Sequence, residues 1–211
     1  MEKKSMDALV SYDELSFINT IELEDIPWER LICTNGWALH IPKLLQELSS
    51  LDSQVASKAL RDLSLEIEHQ ATLWTVAPFA LIFMGRCKAQ LQAVDEPQRL
   101  KLQQLQVDLS EYFQELLEIC HEFLSSSYSD PAKIFSSWAE FFKDEHLLPP
   151  LNSASDAASE AEDDGEEDDY ADDVDWESDL PDSPELLASC YAYSQRILEH
   201  YLSTWQTSLD A

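Results

Sequence analysis

The sequence predicts an all-α fold, an antiparallel array of helices with one acidic loop inserted near its end. Composition is the first reason, because Leu, Gln, Glu and Ala dominate, β-branched runs are scarce and only 3 glycines occur. The second reason is that apolar residues recur at helical spacing over most of residues 40–145 and 185–205. The third is an acidic segment, residues 156–185, which contains 16 carboxylates and no Lys or Arg and therefore cannot pack a core of its own.

The first half of the chain divides into short helices separated by turns. Residues 13–19 are compatible with a short helix, and residues 26–31 predict a turn into a helical start. Residues 41–48 also predict a helix that begins with a proline in its first turn, Pro42. Asp52 or Ser53 then caps a helix whose apolar face is predicted to comprise Val55, Ala59, Leu60, Leu63 and Ile67. The next predicted helix covers residues 75–93 and turns inward Phe79, Ile82, Phe83 and Cys87.

The second half contains the longest predicted helix, residues 98–125, whose apolar stripe comprises Leu102, Leu105, Leu109, Phe113, Leu116, Leu117, Cys120 and Leu124. After a serine-rich loop, Pro131 starts a short aromatic helix that ends at Pro149 and Pro150. Ser183 is the predicted N-cap of the last helix. The inward stripe of this last helix comprises Leu187, Cys190, Tyr191, Ser194, Ile197, Leu198, Tyr201 and Trp205.

These elements predict three regions along the chain. Residues 1–150 form a helical body, residues 151–184 an acidic low-complexity loop, and residues 185–211 a C-terminal helix that packs back on the body. We expect the loop to be disordered in the free protein and to become ordered on a basic partner. Its ends are expected to be held by Leu147, Leu148 and the last helix, which lowers the cost of ordering it.

The net charge of −29 disfavours some classes of binding partner and favours others. Direct nucleic-acid binding and anionic membranes are disfavoured, because both require clustered Lys and Arg. A basic protein is favoured, and the sequence shows neither a signal-peptide core nor a membrane span, so we expect a cytoplasmic protein. The predicted partner-binding residues combine carboxylates with two aromatic anchors: Asp163, Asp164, Glu166, Glu167, Asp168, Asp169, Tyr170, Asp172, Asp173, Asp175, Trp176 and Glu177.

Residues 26–84 carry a pattern of short motifs. It comprises Ile26-Pro27-Trp28-Glu29-Arg30-Leu31, Gly36-x-Ala38-x-x-Ile41-Pro42-x-Leu44-Leu45, Ala59-Leu60-x-x-Leu63, His69-Gln70-Ala71-Thr72-Leu73-Trp74 and Ala77-x-x-Ala80-x-x-Phe83. This resembles bacterial HEAT-repeat proteins whose first repeats contain a His-Gln-Gly-Thr loop and an Ala-x-x-Ala-x-Pro-Phe-Leu helix. Ala71 stands at the usual Gly, and Ile82 at the usual Pro. Several such proteins are encoded beside polymorphic toxins, so the resemblance implies a HEAT-like helical repeat fold and an immunity function.

Two Glu-x-x-His pairs raise the alternative of a di-metal carboxylate site. Glu66 precedes His69 and Glu118 precedes His121 by three positions, which places each pair on one helical face. The remaining carboxylates would come from Glu29, Glu47 or Glu199. Because Glu is abundant, chance pairs are expected, and we interpret both pairs as structural, with no metal and no cofactor.

Two further sites are weighed by their ligand patterns. A calcium loop centred on Gly165 fails, because its twelfth position is Ala171 where a bidentate Glu is needed. The four cysteines form no Cys-x-x-Cys pair and are interpreted as buried, reduced thiols.

The sequence therefore predicts a binding protein rather than an enzyme. The favoured function is an immunity protein that binds and neutralises a basic, cytosol-acting toxin, plausibly a nuclease, by masking its active or substrate-binding surface. The alternatives are an acidic adaptor or chaperone for a basic effector, a nucleic-acid mimic, and a helical di-metal enzyme.

Overall fold

The computed structural model describes residues 14–126, 133–148 and 183–207. Across these ranges the chain is mostly helical, with seven α-helices and two small antiparallel hairpins, so the coarse fold-class prediction is confirmed. The helices are α1 (Glu14–Thr20), α2 (Ile41–Leu48), α3 (Ser53–Ile67), α4 (Ala77–Gln92), α5 (Glu96–Lys101), α6 (Gln103–Ser125) and α7 (Pro184–Thr207). The predicted disordered loop, residues 151–184, lies outside the described residues except for its last two positions.

The two hairpins were not predicted from the sequence. The first pairs β1 (Ile32–Cys33) with β2 (Gly36–Trp37), and the second pairs β3 (Glu68–His69) with β4 (Thr72–Leu73). The helical start predicted at residues 26–31 is wrong, because only a 3-10 turn, Trp28–Arg30, forms before the chain enters β1. Strands of two residues are too short to show an alternating pattern, so periodicity could not reveal them.

Both hairpins are closed by equivalent hydrogen bonds. The amide of Ala38 donates to the carbonyl of Leu31 (3.0 Å), and the amide of Trp74 donates to the carbonyl of Ile67 (3.2 Å). The first hairpin also contacts the end of α3, since the amide of Thr34 donates to the carbonyl of Glu66 (3.0 Å). Each hairpin is followed by a helix, α2 or α4, that carries a proline in its first turn.

Helices α2, α3 and α4 follow the sequence predictions closely. The prediction of residues 41–48 is confirmed, and Asp52 caps α3 by accepting hydrogen bonds from the amides of Gln54 (2.9 Å) and Val55 (3.3 Å). The inward face of α3 differs at one position, because Val55 is exposed and Ala56 is buried in its place. The long helix predicted for residues 98–125 is instead two helices, α5 and α6, which meet at the buried Leu102.

Helix α7 packs antiparallel to α6 and also contacts α4. The rings of Phe123 and Tyr191 stack with centroids 3.8 Å apart at one end, and those of Phe113 and Trp205 lie 4.8 Å apart at the other. The Tyr201 hydroxyl donates to a carbonyl of α4 (3.1 Å). Most of the predicted stripe of α7 is buried, but Leu187 is exposed, whereas its neighbours Leu186 and Ala188 are buried.

Residues 133–148 contribute aromatic side chains to the core. Trp138 stacks on Phe17 with centroids 4.3 Å apart, and Phe79 lies 5.7 Å from Phe141. The aromatic helix predicted from Pro131 is instead a 3-10 turn, Trp138–Phe142, and Pro131 itself lies outside the described residues. These rings join α1 and α4 in one core, which explains the high aromatic content of this short stretch.

All four cysteines are free and buried, as predicted. None of the helices in residues 14–126, 133–148 and 183–207 has the length and apolarity that crossing a membrane requires.

Candidate partner-binding surface

The predicted partner-binding residues, from Asp163 to Glu177, lie outside the described residues. The structure does describe both points at which the acidic segment and its flanks join the fold. At one end the amide of Leu148 donates to the carbonyl of Arg30 (2.9 Å), and the Arg30 side chain returns a hydrogen bond to the Leu148 carbonyl (2.7 Å). At the other end the Ser183 hydroxyl accepts a hydrogen bond from the amide of Leu186 (3.1 Å) and caps α7. Both ends are therefore fixed on the body.

The second attachment point lies at the C-terminal end of α6. Because α6 and α7 are antiparallel and Phe123 stacks on Tyr191, the start of α7 is adjacent to the end of α6. Residues 133–148 reach the same place, since Lys133 pairs with Glu185 (3.3 Å) and the amide of Phe135 donates to the Ser189 hydroxyl (2.8 Å).

Helix α6 carries a row of carboxylates on the face opposite its buried stripe, which we call the acidic stripe. Its members recur at alternating spacings of three and four residues, so they share one helical face: Asp108, Glu111, Glu115, Glu118 and Glu122. All are solvent-accessible, and among the described residues none forms an ion pair with Lys or Arg. The stripe runs toward the attachment point at Ser183. Burial, together with the charges of Glu68 and Glu115, raises the pKa of Tyr112 well above its ordinary value, so Glu68 extends the acidic field beside the stripe.

Most Lys and Arg side chains of the described residues have a partner within the chain. Five of them pair with carboxylates: Arg30 with Asp144, Lys43 with Glu47, Lys58 with Asp62, Lys133 with Glu185, and Lys143 with Glu140. Arg86 donates to the carbonyls of Ile18 and Ile21 and so ties the end of α1 to α4. The field that remains outside is consequently negative, which suits a basic partner.

A groove of about 860 Å³ lies where α4, α5, α6 and the end of α7 meet. Its lining includes Lys88, Arg99, Gln103, Gln106 and Trp205. Lys88 is only 5% exposed, its ammonium group hydrogen-bonds the Ser110 hydroxyl, and it lies 4.0 Å from the centroid of the Trp205 ring. Burial lowers the pKa of Lys88 to about 8, because no carboxylate in the described structure compensates for the lost hydration.

The residues of the di-metal alternative are not brought together in the described structure. Glu66 accepts a hydrogen bond from the side chain of Asn35 (2.7 Å), whereas His121 faces Glu199 (3.5 Å) across the α6–α7 interface. His69 is exposed in the second hairpin.

Glu66 instead belongs to a mixed cluster that the sequence reasoning missed. The ligand atoms of Cys33, His40 and Glu66 lie within 4.8 Å of one another, and the His40 Nε2 is 3.2 Å from the Glu66 Oε1. Burial raises the pKa of the Cys33 thiol to about 12, with a further contribution from Glu66. Burial opposes ionisation of Glu66, but hydrogen bonds from Asn35 and Cys33 and the nearby His40 outweigh it and hold the pKa of its carboxyl below the ordinary value. No sequence signal pointed to this cluster, because the unpredicted first hairpin creates it.

In comparisons with known proteins, no family model, no curated protein and no solved structure matches this chain.

Proposed function

We propose that this chain is an immunity protein that binds and neutralises a basic protein toxin by masking the toxin's active or substrate-binding surface. The observation that carries the proposal is the acidic stripe of α6. The acidic stripe of α6 is free of basic partners within the described structure and runs toward the point where the acidic segment rejoins the fold at Ser183. A basic protein would then meet one extended acidic surface.

The fold is compatible with the resemblance noted in the sequence. The His-Gln motif, His69 and Gln70, lies at the turn of the second hairpin, between the two longest helices of the resembling region. The two hairpins are closed by equivalent hydrogen bonds and each is followed by a proline-started helix, and this recurrence of hairpin and helix supports an internal repeat.

Charge and aromatic anchors should contribute to different rate constants. Exposed carboxylates accelerate encounter with a basic surface and do so less at high salt, whereas a buried aromatic anchor slows dissociation. We therefore assign the acidic stripe and the carboxylates of the acidic segment to association, and Tyr170 and Trp176 to the lifetime of the complex.

The test first examines the neighbouring genes for a large open reading frame with a basic C-terminal domain, and that domain is then used as the partner. Growth rescue on co-expression and a saturable 1:1 complex in surface plasmon resonance are the expected results. The stripe variant Glu111→Gln/Glu115→Gln/Glu118→Gln should slow association about tenfold and flatten its salt dependence. A control with the same charge change on other surfaces is Glu24→Gln/Glu29→Gln/Glu96→Gln, and it should behave nearly as wild type.

Trp176→Ala should mainly accelerate dissociation, about thirtyfold for an anchor that contributes roughly 2 kcal/mol. A neighbour that is not toxic, or a toxic neighbour that this chain neither binds nor neutralises, would refute the immunity proposal. If the stripe and control variants lost the same share of the association rate, the protein would still bind its partner, but the acidic stripe would not be the binding surface.

A further inference from the structure

Three different ligand types meet where the first hairpin contacts the end of α3. Cys33 ends β1, His40 ends the 3-10 turn before α2, and Glu66 is the penultimate residue of α3. Their Sγ, ring nitrogen and carboxylate oxygen all lie within 4.8 Å of one another. In the described part of the chain, no other group of three such side chains is this close.

These separations suit a zinc ion. Zinc binds sulfur at about 2.3 Å and nitrogen or oxygen at about 2.0–2.2 Å, so tetrahedral ligand atoms lie about 3.3–3.7 Å apart. The His40 Nε2 and Glu66 Oε1 are already 3.2 Å apart, and the third ligand needs to move by no more than about 1.5 Å. Thiolate, imidazole and carboxylate are each zinc ligands, and zinc sites with three protein ligands keep water in the fourth position.

The carboxylate is oriented by its surroundings, as ligands of metal sites usually are. The Asn35 side-chain amide donates to Glu66 Oε1 (2.7 Å), and the Asn35 backbone amide donates to Glu66 Oε2 (3.4 Å). The amide of Thr34 fixes the backbone of Glu66 through its carbonyl (3.0 Å). Such contacts outside the ligand set hold the metal ligands in place before the metal arrives.

We propose that Cys33, His40 and Glu66 bind one Zn²⁺, with water as the fourth ligand. The Cys33 thiol loses its proton to solvent as the zinc–sulfur bond forms, so the neutral thiol and the free dication give a thiolate-bound metal and one released proton. His40 binds as the neutral imidazole through Nε2, and its side chain, 43% exposed, leaves a route for the ion to enter. Because the buried thiol must ionise, affinity should rise with pH.

The bound ion would crosslink the first hairpin to α3 and stabilise the fold. A zinc ion that binds only the native state stabilises it in proportion to the logarithm of its concentration over Kd. This inference is independent of the proposed immunity function, since it concerns residues remote in sequence from the acidic segment and needs no protein partner.

The experiment uses the full-length, reduced protein after chelator treatment, with Co²⁺ as a spectroscopic probe and Zn²⁺ as competitor. Excess Mg²⁺ is included as a competitor for nonspecific binding of Co²⁺ by surface carboxylates. We expect one equivalent of Co²⁺ to produce a sulfur-to-cobalt charge-transfer band that Zn²⁺ abolishes. Cys33→Ser should remove the band, and His40→Gln and Glu66→Gln should each weaken binding about tenfold or more.

Cys87→Ser is the matched control, because Cys87 is also a buried free thiol but lies outside the cluster. It should retain the band and the affinity. His40 is partly exposed, so His40→Gln is expected to fold even if Cys33→Ser does not, and circular dichroism checks both. Absence of a stoichiometric charge-transfer band in the wild-type protein, or a band that survives in both Cys33→Ser and His40→Gln, would overturn the proposal.

Discussion

Lys88 should make the stability of this protein increase with pH in the alkaline range. Its pKa is lowered from 10.5 to about 8 in the folded protein, because the ammonium group is buried. Between these two values the unfolded chain binds a proton that the folded chain does not. The free energy of unfolding therefore rises as pH increases from about 8 to about 10.5. Below that window Lys88 is protonated in both the folded and the unfolded chain and adds no pH dependence to the free energy of unfolding.

The magnitude follows from the width of the window. A tenfold difference in proton affinity corresponds to about 1.4 kcal/mol, so a complete shift would contribute about 3 kcal/mol. Solvent that enters the groove reduces this figure, and we expect about 1–3 kcal/mol. The hydrogen bond to Ser110 and the Trp205 ring partly offset the cost of burying the charge, but neither is an anion.

Lys88→Met isolates this effect, because methionine fills similar space without a titrating group. Ser110 still donates to the Gln106 carbonyl (3.0 Å), so the substitution leaves its hydroxyl with a partner. The measurement is urea unfolding of both proteins at several pH values, with the wild-type minus variant difference as the readout. Other titrating groups are common to both proteins and cancel in that difference.

The difference should be constant below pH about 8 and should then rise by about 1–3 kcal/mol toward pH about 10.5. Lys43→Met is the control, because Lys43 is exposed and pairs only with Glu47 (3.7 Å), and its difference should stay flat within about 0.5 kcal/mol. A flat curve for Lys88→Met would mean that the ammonium group is hydrated. A falling curve would mean that an anion pairs with it.

Three further substitutions and one control test the backbone and the packing, each by urea or thermal unfolding. Ala71 has a φ of 63° at the turn of the second hairpin, so Ala71→Gly should stabilise by about 0.5–1 kcal/mol. The same change within α4, Ala89→Gly, should destabilise by about 1 kcal/mol, and equal signs would contradict the strain argument. Gly85→Ala should destabilise by about 1–3 kcal/mol, because its Cβ would overlap the Tyr201 ring, and a neutral result would mean that α7 shifts freely. Tyr191→Phe should cost about 1–3 kcal/mol by leaving an amide of the second hairpin unpaired, and no loss would mean that water replaces the hydroxyl.

The helices were predictable because their signals are local. Asp52 before α3 and Ser183 before α7 cap the first turns, and the apolar stripes of α6 and α7 repeat at helical spacing over many turns. Long periodic stretches average out single exceptions, such as the exposed Val55 and Leu187.

Neither the hairpins nor the mixed cluster of Cys33, His40 and Glu66 could be predicted by the same means. Each hairpin depends on backbone geometry at one or two residues, such as the φ of 102° at Gly36, and on hydrogen bonds between segments far apart in sequence. His40 and Glu66 become neighbours only because the first hairpin folds back onto the end of α3. A single sequence gives no measure of such tertiary contacts, and the Glu-x-x-His spacing that includes Glu66 points to His69 rather than to His40 or Cys33.

The fixed attachment points of the acidic segment affect how a partner could be bound. Leu148 is hydrogen-bonded to Arg30 and Ser183 caps α7, so the chain between them joins the described fold at both ends. Closing a loop in advance removes part of the chain entropy that a free tail would lose on binding. Under the proposed function, a basic partner would be attracted by the carboxylates of both the acidic stripe and the acidic segment, so the attraction would exceed that of either one alone.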